Sequence, residues 1–264
     1  APNRRVRVQP GVVRNELNHF LAPHGLLFGP ETSTANRAMI GGMVGNNSSG
    51  ARASIYGTTS EHVLSLEVVD SWGEITETAA CPAPNSAFAR AMNLAENIMA
   101  TAAGQVRTRF HARIPKRWPG YGLDRALRKK EQQGRFDPAM LITGSEGTLG
   151  LVTAATLNLV DLPREKGLAV LFFPSVQEAL EASVRLLPLR PAAIEHMDHV
   201  LFDQTRGQSA FASVRAFLEL DEKPCASILM VEFEDEVADK TRETVRAVPE
   251  GRGKICSSGD AARV

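Results

Sequence analysis

Apolar and polar residues alternate along Val6-Arg-Val-Gln, the pattern of a half-buried strand, and Pro10-Gly11 ends it in a turn. Leu17, Phe20 and Leu21 share a helical face, with Gly25 as a left-handed stop beyond them. From Phe28 to Thr59 the pattern breaks: Gly, Asn, Ser and Thr dominate, with short apolar punctuation at Met39-Ile40 and Met43-Val44. This stretch is expected to bury little and to owe its order to backbone hydrogen bonds or to a ligand. Val63–Asp70 alternates again, and Ser71-Trp72-Gly73-Glu74 predicts a hairpin turn into Ile75–Thr78. Asn85 or Ser86 caps a helix whose face is Phe88, Met92, Ala95, Met99 and Ala102, ending at Gly104. Ala139–Asn158 predicts apolar strands around Gly144-Ser-Glu-Gly-Thr-Leu-Gly150. After Pro163 the grammar becomes regular: strand Leu168–Phe173, a helix opened by the capping box Ser175-Val-Gln-Glu178 and running to about Leu187, strand Ala193–Met197, helical residues through Leu218, strand Ser227–Phe233 and helix Val237–Val248. Such alternation predicts a small α+β layer and divides the chain into residues 1–162 and 163–264.

Composition narrows the function classes. The 264 residues carry 30 Lys and Arg against 30 Asp and Glu, which excludes binding to nucleic acid driven mainly by phosphate contacts. The longest strongly apolar run, Leu168–Phe173, is far short of the ~20 residues that span a bilayer. Three scattered cysteines, Cys81, Cys225 and Cys256, support neither a disulfide scaffold nor a zinc or iron–sulfur motif, and predict a reducing, cytoplasmic setting. The opening residues, Ala1 to Val8, show no initiator Met and no signal core, and the expectation is a piece of a longer protein with further domains on the same chain. Charge is also uneven: residues 104–135 hold ten Lys or Arg and two Asp or Glu. That basic connector reads as a solvated segment with one short helix after Leu123, or as an electropositive wall for an anionic ligand or an acidic partner.

The chemistry lies in two glycine clusters, Ile40-Gly-Gly-Met-Val-Gly-Asn-Asn-Ser-Ser-Gly50 and Gly144-Ser-Glu-Gly-Thr-Leu-Gly-Leu-Val152. Glycine admits positive φ and close approach of backbone to ligand, Asn tolerates the left-handed region, and successive N–H groups can form a concave nest for phosphate oxygens without any Lys or Arg. Neither cluster is a Rossmann fingerprint. The first lacks G-x-G-x-x-G, is read as not followed by a helix start and has no acidic residue closing a βαβ unit; the second is G-x-x-G-x-x-G running into a strand. No P-loop motif occurs.

The order of these segments is more specific than their composition. Gly29-Pro-Glu-Thr-Ser33, then Ile40–Gly50, Ile55-Tyr-Gly-Thr-Thr59, Leu64–Gly73 and Gly144–Gly150 resembles the FAD-binding domain of the vanillyl-alcohol oxidase and p-cresol methylhydroxylase flavoprotein superfamily, in its FAD-linked D-2-hydroxyacid dehydrogenase branch of D-lactate, glycolate oxidase and D-2-hydroxyglutarate type. Residues from Pro163 resemble the start of that family's C-terminal oxidase domain, so the resemblance implies a p-cresol methylhydroxylase-type FAD-binding domain followed by a ferredoxin-like α+β cap. It implies that Glu31, Thr32 and Ser33 lie near the FAD pyrophosphate and ribitol, that Gly41, Gly42, Asn46, Asn47, Ser48, Ser49 and Gly50 wrap the cofactor, and that Gly57 lies close to the flavin. Glu146, Gly147, Thr148, Leu149, Gly150 and Val152 would run along it, with Glu146 organising the loop or meeting the ribose.

Two family segments are missing: the upstream R-G-x-G-T-type loop and the downstream G-H-x-G-D-G-N-x-H-type segment that carries the presumed base. The expected function is oxidation of a D-2-hydroxyacid by hydride transfer to flavin N5, with the catalytic residues and the electron acceptor unassigned and little turnover or FAD affinity in the isolated piece. The alternatives are a flavin-free homologue acting as an interaction module, or an alkylglycerone-phosphate or aldonolactone type from the same superfamily. His196 and His199 resemble a metal pair but read better as surface or interface residues, and no metal is expected. Tyr121 resembles part of a G-Y-x-L-D element and reads equally as core or as channel lining.

Overall fold

The structure is a computed structural model that describes residues 3–79, 85–110, 120–248 and 252–256. The chain separates into two compact units, Ala1–Leu162 and Pro163–Val264. Among the described residues no helix is long and apolar enough to cross a membrane.

The first unit runs β1 (Arg5–Val8), α1 (Arg14–Leu21), β2 (Leu26–Leu27), α2 (Ile40–Asn46), α3 (Ala53–Tyr56), α4 (Thr59–His62), β3 (Val63–Val69), β4 (Ile75–Glu77), α5 (Ala87–Arg109), α6 (Leu123–Gln133), α7 (Ala139–Ile142), β5 (Leu151–Asn158) and β6 (Val160–Asp161). β1, β5, β3 and β4 form an antiparallel sheet in that order, and β2 pairs with β6. β5 is central, with Leu157 between Val6 on one side and Val63 on the other.

The segment expected to bury little supplies the middle of this core. Phe28, Ile40, Met43 and Val44 are all buried. Ile40, Met43 and Val44 fall at i, i+3 and i+4, so the stretch read as a loop folds as α2, burial of that stripe offsets the ~1 kcal/mol that each helical glycine costs, and the cluster read as not followed by a helix start is followed by the short α3. Asn47 ends the helix in the left-handed region at φ 51°, its N–H donating to the carbonyls of Met43 and Val44.

Other boundaries move for similar reasons. α5 is capped by Ser86, whose Oγ accepts from the Ala89 N–H, but passes through Gly104 to Arg109, because Val106 is buried one turn further on. Ala139–Ile142, read as strand, is a single helical turn with all four residues buried. The basic connector is not a free segment where it is described. Its first residues close α5, and α6 packs on α5 with four cations of the stretch paired: Arg107 with Glu131, Lys130 with Glu96 at 2.7 Å, Lys129 with Asp137 and Arg128 with Asp124. Two of those carboxylates, Glu96 and Asp137, lie outside the basic stretch, so a charge sum over residues 104–135 leaves them out. Arg113, Lys116 and Arg117, like Cys81, lie outside the described residues.

The second unit runs β7 (Lys166–Phe173), α8 (Val176–Leu186), β8 (Ala193–Asp198), α9 (His199–Asp203), α10 (Ala212–Leu218), β9 (Ser227–Glu234), α11 (Val237–Ala247) and β10 (Arg252–Cys256). Its antiparallel sheet has the order β10-β7-β9-β8, a ferredoxin-like βαββαβ arrangement. Ala169, Leu171 and Phe173 face the cluster containing α8, while Leu168, Val170 and Phe172 face the one containing Phe202 and Leu218. Both sheet faces are covered, and β7 is accordingly an unbroken apolar run rather than an alternating one.

Candidate functional site

The site grows from two hydrogen bonds that join the glycine segments. Gly144 N–H donates to the Val44 carbonyl and Glu146 N–H to the Gly45 carbonyl, each at 2.9 Å, so the turn that follows α7 is hung on the C-terminal half of α2. A third segment closes the group: Ile40 and Gly41 N–H donate to the carbonyls of Val12 and Pro10 at 2.9 and 2.8 Å. Between them lies a cleft of about 350 Å³ lined by Pro10, Gly11, Met39, Gly41, Gly42, Gly45, Ile142, Ser145, Gly147, Gly150 and Val152. Six of these are glycines and none is charged.

Each glycine is there for its own reason. A Cβ at Gly41 would sit 2.6 Å from the Pro10 Cβ, so the α2 N-terminus abuts the Pro10-Gly11 turn. At Gly150, where φ is +152°, a Cβ would lie 2.6 Å from a Val68 methyl and 3.0 Å from the Val69 carbonyl oxygen. At Gly11, Gly42 and Gly147 an added Cβ would meet nothing within 4 Å, so at these three positions the missing side chain leaves space in the cleft. The walls are thus mostly backbone, and they can admit a flat group closely.

The cleft takes in Gly41, Gly42, Gly147, Gly150 and Val152 of the residues singled out by sequence. The rest form its framework. Asn47 Oδ1 accepts from Ser60 N–H at 2.8 Å, and the Ser48 carbonyl accepts from both the N–H and the hydroxyl of Thr59, fixing the end of α2 to α4. Asn46 Nδ2 donates to Ser48 Oγ. Gly57, at φ +68°, sits where a side chain would overlap the Glu61 carboxylate, which accepts the Thr58 N–H in a capping box. Its need for glycine is therefore local. Thr32 shares a hydrogen bond with Thr34, and Ser33 lies in the exposed turn beside it, while Ser49 lies partly exposed between Ser48 and Gly50. Glu146 takes a left-handed φ of 53° with an exposed side chain, and Leu149 is exposed. Thr148 Oγ1 donates to the Ser145 carbonyl and meets the Tyr121 hydroxyl at 2.9 Å, which ties the Gly120–Gly122 turn to this loop.

Sequence reasoning missed Pro10, Gly11, Met39, Gly45, Ile142 and Ser145 on the cleft wall, and it did not bring Arg14 and Arg52 together with Glu31. Glu31 does not reach into the cleft: its carboxylate is held by Arg52 and lies 3.6 Å from Arg14. Arg14 is buried, and donates to the carbonyls of Pro30 and Phe28. Burial, with Arg52 beside it, pulls the Arg14 guanidinium below its ordinary pKa. A Cβ at Gly50 would overlap the Glu31 carbonyl, so the two segments touch backbone to backbone here. Burial likewise lowers Arg125 in α6.

In the second unit, His196 Nε2 lies 2.7 Å from Ser227 Oγ, while His199 opens α9 and Asp198 caps it. The strand-to-helix change at Asp198 gives the two histidines separate settings.

Two family models match the chain: an FAD binding domain over residues 1–79 and the C-terminal domain of FAD linked oxidases over residues 162–263. D-2-hydroxyglutarate dehydrogenase from Pseudomonas putida is 35% identical over 240 residues, covering 87% of this chain and 23% of its own length. The enzyme of the same description from Haemophilus influenzae is 33% identical over 264 residues, covering 93% and 25%. The chain therefore spans about a quarter of these relatives. A solved alkyldihydroxyacetonephosphate synthase superposes with a TM-score of 0.66 at 17% identity, over 99% of this chain and 42% of that one, a likeness of fold.

Proposed function

Since the chain belongs to the FAD-linked oxidases of the vanillyl-alcohol oxidase and p-cresol methylhydroxylase superfamily, we propose that it is the cofactor-binding part of an FAD-dependent oxidoreductase acting on a D-2-hydroxyacid of the D-2-hydroxyglutarate, D-lactate or glycolate class. The observation that carries the reading is the glycine-walled cleft between α2 and the Ser145–Gly150 turn. It fits a flavin dinucleotide: space stands open where Gly11, Gly42 and Gly147 lack side chains, and Met39, Ile142 and Val152 give apolar surface for a ring system. When bound, FAD supplies a two-electron acceptor for the hydride of the substrate α-carbon.

The chain's own residues bind and orient. Gly41, Gly42, Gly147, Gly150 and Val152 would hold the cofactor directly, and Asn46 to Gly50, Gly57 and Glu31 to Ser33 would fix the loops around it. Ser145, buried at the cleft wall, offers a hydroxyl to the ligand. Residues 1–162 form the FAD-binding domain in this reading and residues 163–264 the beginning of the substrate cap. The general base is not among the residues assigned, and a cytoplasmic location, read from the cysteine usage, belongs to the same proposal.

Titration with FAD tests the cofactor assignment: binding only to the folded chain raises the melting temperature with ligand concentration and quenches flavin fluorescence. Neither effect at millimolar FAD would end the reading. In the complete protein, anaerobic addition of D-2-hydroxyglutarate, D-lactate or glycolate should bleach the flavin, and bleaching by L-hydroxyacids alone would exclude the substrate class.

A further inference from the structure

The positive charge of the FAD-matching segment is distributed in an uneven way. Residues 3–79 contain no lysine, and their cations are arginines apart from three histidines. Arg4, Arg5, Arg7 and Arg37 lie at the surface, with Arg4 on Asp161 and Arg7 shared between Glu67 and Glu77. Exposed pairs of this kind are screened by water and salt and act weakly at a distance. Arg14 and Arg52 differ: their side chains are 10% and 18% exposed, they converge on the single carboxylate of Glu31, and they stand in lower dielectric where a charge acts further.

This cluster is tied to the cradle from both sides. Arg14 N–H donates to the Ala38 carbonyl at 2.9 Å, next to Met39 on the cleft wall. Arg52 stands two residues beyond Gly50, whose Cα packs on the Glu31 carbonyl so closely that no side chain fits. The Arg14–Glu31–Arg52 group thus clamps residues 29–33 against the end of the segment that begins with α2. The cleft itself has no charged residue on its wall, whereas the dinucleotide proposed for it is a diphosphate.

Resting on that FAD reading, we propose that Arg14 and Arg52 are positioning residues for the anionic half of the cofactor. They hold Glu31 in place, so that the backbone of Glu31–Ser33 stays seated against Gly50, and their guanidinium charge favours a diphosphate over an uncharged flavin. The inference concerns selection of the dinucleotide by full charge, which adds to the backbone N–H groups of the neutral cleft wall.

The test is equilibrium binding of FAD, riboflavin and inorganic pyrophosphate to the 264-residue chain at low and high salt. Arg52→Gln should weaken FAD about tenfold, flatten the salt dependence of FAD binding and leave riboflavin unchanged, and Arg52→Lys should restore most of the salt dependence. Arg37→Gln, which removes an exposed arginine of the same segment, should keep the salt dependence and the preference for FAD over riboflavin. Equal loss of FAD and riboflavin affinity in Arg52→Gln, or an unchanged salt dependence, overturns the inference while leaving the FAD reading intact. If Arg52→Gln does not fold, a salt dependence lost in Arg52→Lys, or lost in Arg37→Gln, overturns it alone. A wild-type chain that binds pyrophosphate with this Arg52 dependence but no flavin supports the charge assignment and ends the FAD reading, and one that binds none of the three ends both.

Discussion

In α2, glycines 41, 42 and 45 take ordinary helical angles, and the residues between them, Ile40, Met43 and Val44, fill the core. In the turn after α7, Gly144, Gly147 and Gly150 all have positive φ, at 97°, 81° and 152°, and Glu146 joins them at 53°. Both segments line one cleft and have similar composition, yet glycine answers a different demand in each. The helix needs an absent side chain; the turn needs a backbone angle as well. Substitution should separate the two.

The largest effect is expected at Gly144. Alanine there meets the left-handed penalty and a carbonyl oxygen, that of Gly120, 2.8 Å from the new Cβ. A loss of about 2–5 kcal/mol in denaturant unfolding is expected, combining ~1–2 for the backbone and ~1–3 for the overlap. A loss below about 0.5 kcal/mol would show that the turn can refold around a side chain, and the contrast with α2 would fail. Gly41→Ala has no backbone penalty but presses on Pro10, and should cost about 1–2 kcal/mol in the same assay. Gly147→Ala keeps a positive φ in open space, so about 1 kcal/mol is expected, from the backbone alone.

The smallest change in stability has the opposite sign. Gly42→Ala lies in a helix with free space around it, and should stabilise the chain by up to about 1 kcal/mol while its methyl enters the cleft and weakens FAD. Thermal unfolding with and without FAD reads both effects. Tighter FAD binding by this variant would show that Gly42 faces away from the cofactor.

What could be read from the chain followed the strength of the local pattern. In residues 163–248 most strand and helix stripes are long enough to declare their period, and the capping box at Ser175 marks its own helix, Ser175 Oγ accepting the Glu178 N–H, whereas the five-residue β10 was not read and α9 and α10 were read as one helical stretch. α2 was obscured because three of its seven residues are glycine, although the i, i+3, i+4 spacing of Ile40, Met43 and Val44 was visible. α7 is one turn of four apolar residues, too short for a helical and an extended period to differ.

At the site, residues contributed by composition were legible and those contributed by folding were not. The glycines announce themselves. Arg14, Glu31 and Arg52 are far apart in the chain and become neighbours only when α1, the Gly29–Ser33 stretch and α3 assemble. Gly57 shows a third case: Thr58-Thr-Ser-Glu61 already held the capping box that explains it, so its resemblance to a flavin-side residue was one of two reasons to expect glycine there.

The place of β5 between β1 and β3 also sets an order of events during synthesis. β3 and β4 can pair as soon as their hairpin has emerged, but among the described residues β1 pairs with Leu151–Asn158, which follows almost the whole first unit. Until then both β1 and the hairpin lack their β5 partner, and closing so long a loop makes this part of the sheet slow to complete. A ribosome-bound chain stopped before Leu151 should therefore be open to protease and to chaperones throughout the glycine-rich segment, and should become resistant in one step when β5 arrives.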